Sequence, residues 1–438
     1  MTKTFNIITL GCKVNQYESE AIEEIFEARG FERKEENADI YVINTCTVTN
    51  MSDRKSRQMI SRARTDNPDA IIAVMGCYSQ VKPEEVAKIE GVDIILGSRN
   101  KEEVVELCED FLQNKEATDK LISVSEEKTY EDLAISNQTG MTRAYMKIQD
   151  GCNMYCSYCL IPYARGNVVS RPMDSIIKEA SRLAENGFKE IVLTGIHVAS
   201  YGKDFKDGTS LIDVIENVAK VDGIKRIRLS SMEPRHITKD FLERMKNTGK
   251  ACDHFHLSLQ SGSDDILKAM NRKYDTKTFK EKVDLIREVF PNAGLTTDII
   301  VGFPTETDEN HKETMAFVDS IKFAKTHLFK YSQRDGTNAA TMSGQVNGNI
   351  KKDRLKDLEK IEETNRKEFL EKQIGQSLSV LFESKSDIKG FKSGYSTNYL
   401  RVNVKDPSIK DNEIFDIKIT GIENNELIGK LLNKKLYS

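Results

Sequence analysis

Three closely spaced cysteines are the residues of this sequence most able to do chemistry. Cys152, Cys156 and Cys159 have the spacing C-x3-C-x2-C and follow an apolar run, residues 145–148, that predicts a strand. Three thiolates this close predict a metal site, and iron–sulfur clusters normally take four cysteines. The next cysteine, Cys252, is too remote in sequence to complete a local motif. We therefore expect a cluster with one open iron, which can bind a small chelating ligand.

A structural zinc site and a coincidental group of cysteines are the alternatives for this motif. Zinc sites prefer paired C-x2-C units that are completed by a fourth Cys or His. No such completing residue follows Cys159 locally. The spacing therefore favours an iron–sulfur cluster.

A second set of three cysteines lies within residues 1–112. This segment alternates short apolar strands with helical patterns, which predicts a parallel-sheet α/β domain. Cys12, Cys46 and Cys77 each come just after a predicted strand. Because open parallel sheets bind ligands at the carboxyl ends of their strands, we expect these cysteines to converge on one edge as a second metal site. The alternative is three buried structural thiols. We interpret Cys108 and Cys252 as core or surface thiols and assign them no role.

The middle of the chain predicts a partial barrel. Residues 143–334 contain six predicted strands with predicted helices between them, and six β/α units form an open (β/α)6 barrel. Chemistry in such barrels gathers at the carboxyl ends of the strands, where polar residues do occur here. Asp298 lies inside an apolar strand, where a buried carboxylate needs a partner, and Arg272 is a candidate for that partner.

The remaining segments predict a linker, a connecting helix and a small domain. Residues 113–142 are polar with weak periodicity and predict a linker, and the barrel segment extends through a charged helix to residue 372. Residues 375–438 carry short β-type runs between turn residues and predict a small β-barrel. Such barrels often bind RNA, for which Tyr395, Tyr399 and Arg401 are candidates. A basic helix near residues 52–64 is an alternative RNA contact.

Composition sets limits on the class of protein. The 438 residues predict two or three domains, and 65 Lys+Arg against 69 Asp+Glu give a net charge of −4, which argues against a globally basic nucleic-acid binder. We see no signal segment and no apolar run near the roughly 20 residues of a membrane span. We therefore expect a cytoplasmic monomer with no membrane contact, whose eight cysteines are metal ligands or free thiols.

The cysteine motif resembles the signature of radical S-adenosylmethionine (SAM) enzymes, with Tyr158 as its aromatic residue. The resemblance implies that the open iron chelates the amino and carboxylate groups of SAM, and that an electron from the cluster cleaves SAM to a 5'-deoxyadenosyl radical. It also implies that residues near the strand ends hold SAM, and Arg272 is an alternative ligand for the SAM carboxylate. The resulting candidates for cofactor binding are Tyr158, Thr194, Gly195, Ser230, Glu233, Gln260, Arg272 and Asp298.

The order of parts resembles the radical SAM methylthiotransferases, which join an N-terminal α/β domain, a radical SAM barrel and a C-terminal TRAM β-barrel. The segments LGCKVNQYES (residues 10–19), NTCTVT (44–49) and CLIPYARG (159–166) resemble the branch that modifies threonylcarbamoyladenosine beside the tRNA anticodon. One departure is Asn338, where the family often has Pro, and this affects only loop stiffness.

This resemblance implies a division of labour between two 4Fe-4S clusters. Cys152, Cys156 and Cys159 would hold the SAM-cleaving cluster, and the other three cysteines, Cys12, Cys46 and Cys77, an auxiliary cluster that carries the sulfur. SAM would serve as methyl donor and as radical source, and the methylthio group would go to carbon 2 of the adenine. The implied partners are tRNA and a reducing electron donor such as flavodoxin or ferredoxin. No catalytic residue beyond the cluster ligands is implied.

Two kinds of alternative function stay open from the sequence. Within the family, the substrate is isopentenyladenosine in tRNA or an aspartate of a ribosomal protein. Outside it, the chain is a non-catalytic iron–sulfur electron carrier or RNA-binding redox sensor, which binds clusters without cleaving SAM. The open iron argues against the second kind, because an electron carrier has no use for an open site.

Overall fold

The N-terminal part of the chain forms one parallel sheet. A computed structural model describes residues 3–114, 118–121, 124, 129–136, 141–384 and 388–432. The strands of this sheet are β1 (Thr4–Thr9), β2 (Glu32–Arg33), β3 (Ile40–Thr45), β4 (Ile71–Gly76), β5 (Ile94–Leu96) and β6 (Thr118–Lys120). They pair in the order β2-β1-β3-β4-β5-β6, with parallel register throughout.

Helices cover both faces of this sheet. The central strands β3 and β4 are buried at every residue, as expected for a parallel sheet with helices on both sides. Separate apolar clusters lie on the two faces, one around Phe5 and Ile40 and one around Ile43 and Val74. The helices are α1 (Lys13–Ala28), α2 (Asn50–Asp66), α3 (Cys77–Val81), α4 (Pro83–Ala87) and α5 (Glu103–Asn114).

The middle of the chain forms an open barrel of six long parallel strands. Its strands are β7 (Arg143–Asp150), β8 (Val169–Ser170), β9 (Glu190–Gly195), β10 (Arg226–Leu229), β11 (His254–Gln260), β12 (Gly294–Val301) and β13 (Lys325–Lys330). The hydrogen-bonded orders are β10-β9-β7-β8 and β11-β12-β13, in which only the short β8 is antiparallel. Isolated parallel bridges, Ile227 with Ala251 and Met232 with Leu257, connect the two groups.

Helices alternate with these strands and close the outside of the barrel. They bury one face each against the strands, with Val214 and Val283 among the fully buried residues. None of the described helices is both long and apolar enough to span a membrane. The helices are α6 (Ile161–Arg165), α7 (Met173–Glu185), α8 (Leu211–Ala219), α9 (Lys239–Asn247), α10 (Asp264–Ala269), α11 (Thr276–Val289), α12 (Asp308–Ile321), α13 (Asn338–Thr341) and α14 (Gly348–Glu371).

The C-terminal part is a small closed β-barrel with its own apolar core. Its strands are β14 (Ser377–Phe382), β15 (Lys392–Ser396), β16 (Arg401–Val404), β17 (Ile414–Glu423) and β18 (Glu426–Leu431), closed in the order β14-β15-β16-β18-β17. The predicted fold class, an α/β chain with a parallel-sheet domain, a partial (β/α)6 barrel and a small β-barrel, is therefore confirmed.

The segment expected to be a linker, residues 113–142, is packed where the structure describes it. Strand β6 extends the N-terminal sheet beside β5, and Leu133 and Ile135 are buried in the barrel core. The Glu131 carboxylate lies 3.5 Å from the Lys101 ammonium, and Asp132 accepts a hydrogen bond from Arg171. The polar composition of this segment reflects partners for buried cations, which a composition pattern does not distinguish from a solvated linker.

Candidate functional site

The three N-terminal cysteines lie at the carboxyl ends of neighbouring strands. Cys12 follows β1 and precedes α1, Cys46 follows β3, and Cys77 begins α3 directly after β4. Because β1, β3 and β4 are adjacent and parallel, their carboxyl ends meet at one edge of the sheet. The thiols lie within electrostatic range of one another, Cys12 with Cys77 and Cys46 with both. The structure therefore brings together the set that the sequence predicted to converge.

Two glycines let the backbone approach closely at this edge. Gly11 and Gly76 have φ angles of +103° and +107°, in the region that favours glycine. A Cβ at Gly11 would lie 2.7 Å from the Cys46 Cβ, and one at Gly76 would lie 2.6 Å from the Thr45 carbonyl oxygen. Only a residue without a side chain fits at these two positions. The two glycines therefore allow the segments that carry Cys12, Cys46 and Cys77 to pack closely together.

The second set of cysteines lies in the loop between β7 and α6. The Cys159 amide donates to the Cys156 carbonyl at 2.9 Å, and the Cys152 amide donates to the Gly166 carbonyl at 3.0 Å, so the loop folds back on itself. The three thiols lie within electrostatic range of one another. Burial raises the pKa of Cys152 to about 11 and that of Cys159 to about 12. The free thiols of Cys152 and Cys159 are therefore protonated at neutral pH and would release protons on binding a metal.

Arg272 contacts this loop rather than Asp298. Its Nη1 donates to the Cys156 Sγ at 3.2 Å, and its Nε donates to the Tyr274 hydroxyl at 2.9 Å. Asp298 instead lies 3.2 Å from the His256 Nε2. The expected pair between Arg272 and Asp298 is therefore wrong, because the two side chains find other partners. Arg272 is placed to stabilise a thiolate at Cys156.

Arg165 links the two cysteine sets from the end of α6. Its side chain is fully buried, and its Nε donates to the Cys77 Sγ at 3.2 Å. Its other nitrogens donate to Glu18 Oε2 and Asp150 Oδ2, each at 3.1 Å. Since Arg165 follows Cys159 by six residues in the chain, one side chain connects the barrel loop to the edge of the N-terminal sheet.

The buried charges around Arg165 nearly balance. Among the described residues, ion pairs of 4.0 Å or less join four cations to three carboxylates, all with side chains at most 5% exposed. Four minus three leaves one positive charge, which a metal-binding thiolate at Cys77 would neutralise. Buried charges persist only when they are paired, so this network has room for one further negative charge beside Arg165. The cations are Arg99, Lys101, Lys147 and Arg165, and the carboxylates are Glu18, Glu131 and Asp150.

A cavity of about 740 Å³ opens between the three parts of the chain. Cys12 and Lys13 line it from the N-terminal sheet, Thr194 and Ser230 from the strand ends of the barrel, and Tyr399 from the C-terminal barrel. This volume lies in the range of small-molecule sites. A reactive group held by Cys12 would therefore face a substrate bound at the barrel strand ends.

The predicted cofactor-binding residues divide into three groups. Thr194, Gly195, Ser230 and Asp298 line this cavity, and Arg272 contacts Cys156 instead. Tyr158, Glu233 and Gln260 do not line the cavity. Their assignment to SAM stays a prediction for all eight.

The three residues outside the cavity lining have local partners. The Tyr158 ring meets the Phe303 ring edge-on, with centroids 6.5 Å apart. Glu233 accepts a hydrogen bond from Arg235 at 2.6 Å, and although burial by itself raises a carboxyl pKa, hydrogen bonds from His236 and Arg235 lower that of Glu233 to about 2. Gln260 ends β11 in the left-handed region, with φ of +74°.

The candidate RNA-binding residues of the C-terminal barrel are half-buried where the small barrel meets the large one. The Tyr399 ring stacks on His254 at 4.6 Å and on Tyr395 at 5.0 Å. Arg401 lies between two carboxylates, 3.7 Å from Glu383 and 3.6 Å from Glu426. These side chains join the small barrel to the strand starts of the large one, and all three line the cavity described above, so their contact with RNA stays a prediction.

Some basic residues of helix α2 make polar contacts within the protein, and others face solvent. Arg64 pairs with Asp93 at 2.9 Å, and Arg57 donates to the Tyr78 hydroxyl at 3.0 Å. Three further basic residues are exposed and make no hydrogen bond or ion pair within the described part of the chain; they are Arg54, Lys55 and Arg62. This face keeps free positive charge for a polyanion.

Sequence reasoning missed the charged residues that connect the cysteine sets. Glu18, Asp150 and Arg165 are fully buried, yet they lie in segments without unusual periodicity. The available signal was their position, since Glu18 and Arg165 fall within the segments around Cys12 and Cys159. Their partners come from distant parts of the chain, so no local pattern identifies them.

The two cysteine sets fit clusters better than single ions. Among the residues that the structure describes, no three His, Cys, Asp or Glu side chains surround a position for one metal ion. In a 4Fe-4S cluster each cysteine binds a different iron, so the thiolates stand farther apart than around one ion. Three cysteine thiols at each site are the donor set that such a cluster takes.

Two family models match the chain. The Radical SAM superfamily matches residues 146–318, which span most of the barrel and the second cysteine set. The uncharacterized protein family UPF0004 matches residues 4–97, which include Cys12, Cys46 and Cys77. Each cysteine set therefore falls within a different family match.

Curated relatives match nearly the whole chain. A threonylcarbamoyladenosine tRNA methylthiotransferase of Bacillus subtilis, MtaB, is 40% identical over 416 residues, covering 94% of this chain and 92% of the relative. The MtaB of Thermotoga maritima is 38% identical and covers 91% of each chain. A tRNA-2-methylthio-N(6)-dimethylallyladenosine synthase of Pelotomaculum thermopropionicum is 35% identical and covers 98% of each.

A solved structure shares the fold at low sequence identity. The radical SAM methyltransferase TsrM of Kitasatospora setae superposes with a TM-score of 0.59 and 14% identity, covering 78% of this chain and 77% of that one. At this identity the likeness concerns the fold alone.

Proposed function

The chain belongs to the radical SAM tRNA methylthiotransferase family, and on that premise we propose that it transfers a methylthio group to carbon 2 of threonylcarbamoyladenosine in tRNA. Enzymes of this family use SAM and 4Fe-4S clusters, which confirms the predicted cofactors. What supports the proposal most is one observation: Cys12 and the strand ends of the barrel line a single cavity.

The proposed reaction explains why two cysteine sets are needed. The hydrogen on carbon 2 of adenine has no useful acidity, so a radical must remove it, and the sulfur that replaces it must already be within reach. When bound, the SAM cluster supplies the electron that generates this radical. In our proposal, Cys152, Cys156 and Cys159 hold that cluster, and Cys12, Cys46 and Cys77 hold the sulfur-bearing one.

The residues of the chain have distinct roles in this proposal. Arg272 stabilises the thiolate of Cys156, and Arg165, the last residue of α6, does so for Cys77. Thr194 and Ser230, at the strand ends, orient the cofactor or substrate inside the cavity. A reducing protein such as flavodoxin or ferredoxin supplies the electron, and the chain works as a monomer.

The proposed substrate is tested by nucleoside analysis. We expect tRNA from cells that contain this protein to carry methylthio-threonylcarbamoyladenosine, and tRNA from cells without it to lack that nucleoside. Mass spectrometry of digested tRNA measures both, and the Cys156→Ala protein serves as an inactive control. A methylthio group on isopentenyladenosine, or on a ribosomal protein with none on tRNA, would overturn the proposed substrate.

The proposed ligand sets predict the iron content. Anaerobically reconstituted protein should bind about eight iron atoms per chain, since each 4Fe-4S cluster holds four. A variant with Cys152, Cys156 and Cys159 all changed to Ala should keep about half, because the other set lies on a separate sheet. Iron and sulfide analysis checks both numbers. Complete loss of iron from a variant that stays folded would show that the two sets are not independent.

A further inference from the structure

Lys13 is a cation without an anionic partner inside the cavity. Within the described part of the chain, no carboxylate lies within 4.0 Å of its ammonium and no hydrogen bond reaches it. Its one recorded contact is with the Tyr145 ring, whose centroid lies 5.3 Å away. The residue follows Cys12 directly and lines the same cavity. Three other cations that line the cavity, Arg228, Lys325 and Arg401, each have a carboxylate within 4.0 Å. Lys13 differs from them in this respect.

Two arginines lie near Lys13. Arg143 and Arg228 lie close enough to repel its ammonium, and the nearby Glu190 carboxylate is already paired with Arg228 at 2.7 Å. Of the carboxylates that line the cavity, Glu426 lies 3.6 Å from Arg401 and Asp298 lies 3.2 Å from His256. An anion entering this end of the cavity would meet the Lys13 ammonium, which has no carboxylate within 4.0 Å in the described part of the chain.

We propose that Lys13 binds the carboxylate of the threonylcarbamoyl substituent and so selects this substrate over adenosines with an uncharged substituent. This inference rests on the proposed function and deepens it. The base must place its carbon 2 near the sulfur held by Cys12, while the phosphates stay with the RNA backbone outside. The anion that enters with the base is then the carboxylate on its N6 substituent, beside the residue that follows Cys12.

The chemistry favours a carboxylate at this position. A Lys ammonium forms charge-assisted hydrogen bonds with carboxylates, and these are stronger than neutral ones. A dimethylallyl group offers no charge and so forms no such bond with the ammonium. Lys13 would therefore discriminate by attraction of the carboxylate.

The test compares three RNAs with the reconstituted holoenzyme, kept anaerobic and without SAM. Anticodon stem-loops carry threonylcarbamoyladenosine, its methyl ester, or isopentenyladenosine, and fluorescence anisotropy gives each Kd. We expect the wild-type protein to bind the free acid more tightly than the other two, by on the order of 10- to 100-fold. Lys13→Gln should bind all three alike, and Lys13→Arg should restore part of the preference.

Lys325→Gln is the matched control for this test. Lys325 lines the same cavity, but its ammonium is paired with Glu362 at 3.1 Å, so its loss should leave the preference for the free acid in place. A full preference that survives in Lys13→Gln would overturn the inference and leave the proposed function standing. A wild-type protein that prefers isopentenyladenosine would overturn the proposed substrate as well.

Discussion

Replacing Cys46 with Ala is expected to abolish methylthio transfer while reductive cleavage of SAM continues. Cys46 lies at the edge of the N-terminal sheet, whereas Cys152, Cys156 and Cys159 lie in a loop of the barrel. The variant should therefore lose the sulfur-bearing cluster and keep the one proposed to bind SAM. Chromatography of 5'-deoxyadenosine formed with dithionite measures SAM cleavage, and mass spectrometry of tRNA nucleosides measures transfer.

Two further variants show whether the loss of methylthio transfer in Cys46→Ala comes from the missing cluster or from lower stability. Cys156→Ala should abolish both activities, because the radical is never made. Cys108→Ala removes an equally buried thiol from the core of the same sheet as Cys46, and we expect it to cost only about 1–2 kcal/mol of stability. Methylthio product from a well-folded Cys46→Ala protein would contradict the assignment of the sulfur-bearing cluster.

Changing Arg165 to Gln is expected to destabilise the protein and to weaken iron binding by the N-terminal set. Removing one partner from a buried ion-pair network costs about 3–5 kcal/mol, because the remaining charges stay buried. Arg165 is also the donor to the Cys77 Sγ, so the variant leaves that thiolate without its cation. Thermal unfolding measures the first effect. Iron analysis in the background that lacks Cys152, Cys156 and Cys159 measures the second.

Arg171→Gln separates the two effects of the Arg165 change. Arg171 is likewise fully buried, and it pairs with Glu179 at 2.6 Å and with the Tyr17 hydroxyl at 3.2 Å, but no cysteine accepts from it. Its loss should lower the unfolding temperature to a similar extent while the remaining iron stays bound. Equal iron retention by both variants would show that Arg165 acts only through stability.

The tyrosines of the C-terminal barrel show where sequence patterns stop being informative. Tyr395 and Tyr399 have the composition of an RNA-stacking pair, and their place on a small barrel favoured that interpretation. In the structure they stack on each other, and Tyr399 also stacks on His254 of the large barrel. An aromatic ring serves an RNA surface or a domain interface equally well, so its neighbours decide its role.

The sequence by itself determined the features that depend on local spacing. The cysteine motif, the strands that precede Cys12, Cys46 and Cys77, and the small barrel all follow from periodicity and residue type within short windows. Strand direction then placed three distant cysteines at one edge, since parallel neighbours end on the same side. The fold class and the family were therefore accessible before any coordinates.

Only the tertiary structure decided which charged groups meet. Arg272 contacts Cys156 rather than Asp298, Arg165 joins Cys77 to Glu18, and Lys13 has no carboxylate within 4.0 Å among the residues that the structure describes. An ion pair depends on the separation of two side chains in space, and residues far apart in the chain carry no periodic signal of that separation. Burial adds a further constraint, because a charge removed from water needs a partner of opposite charge.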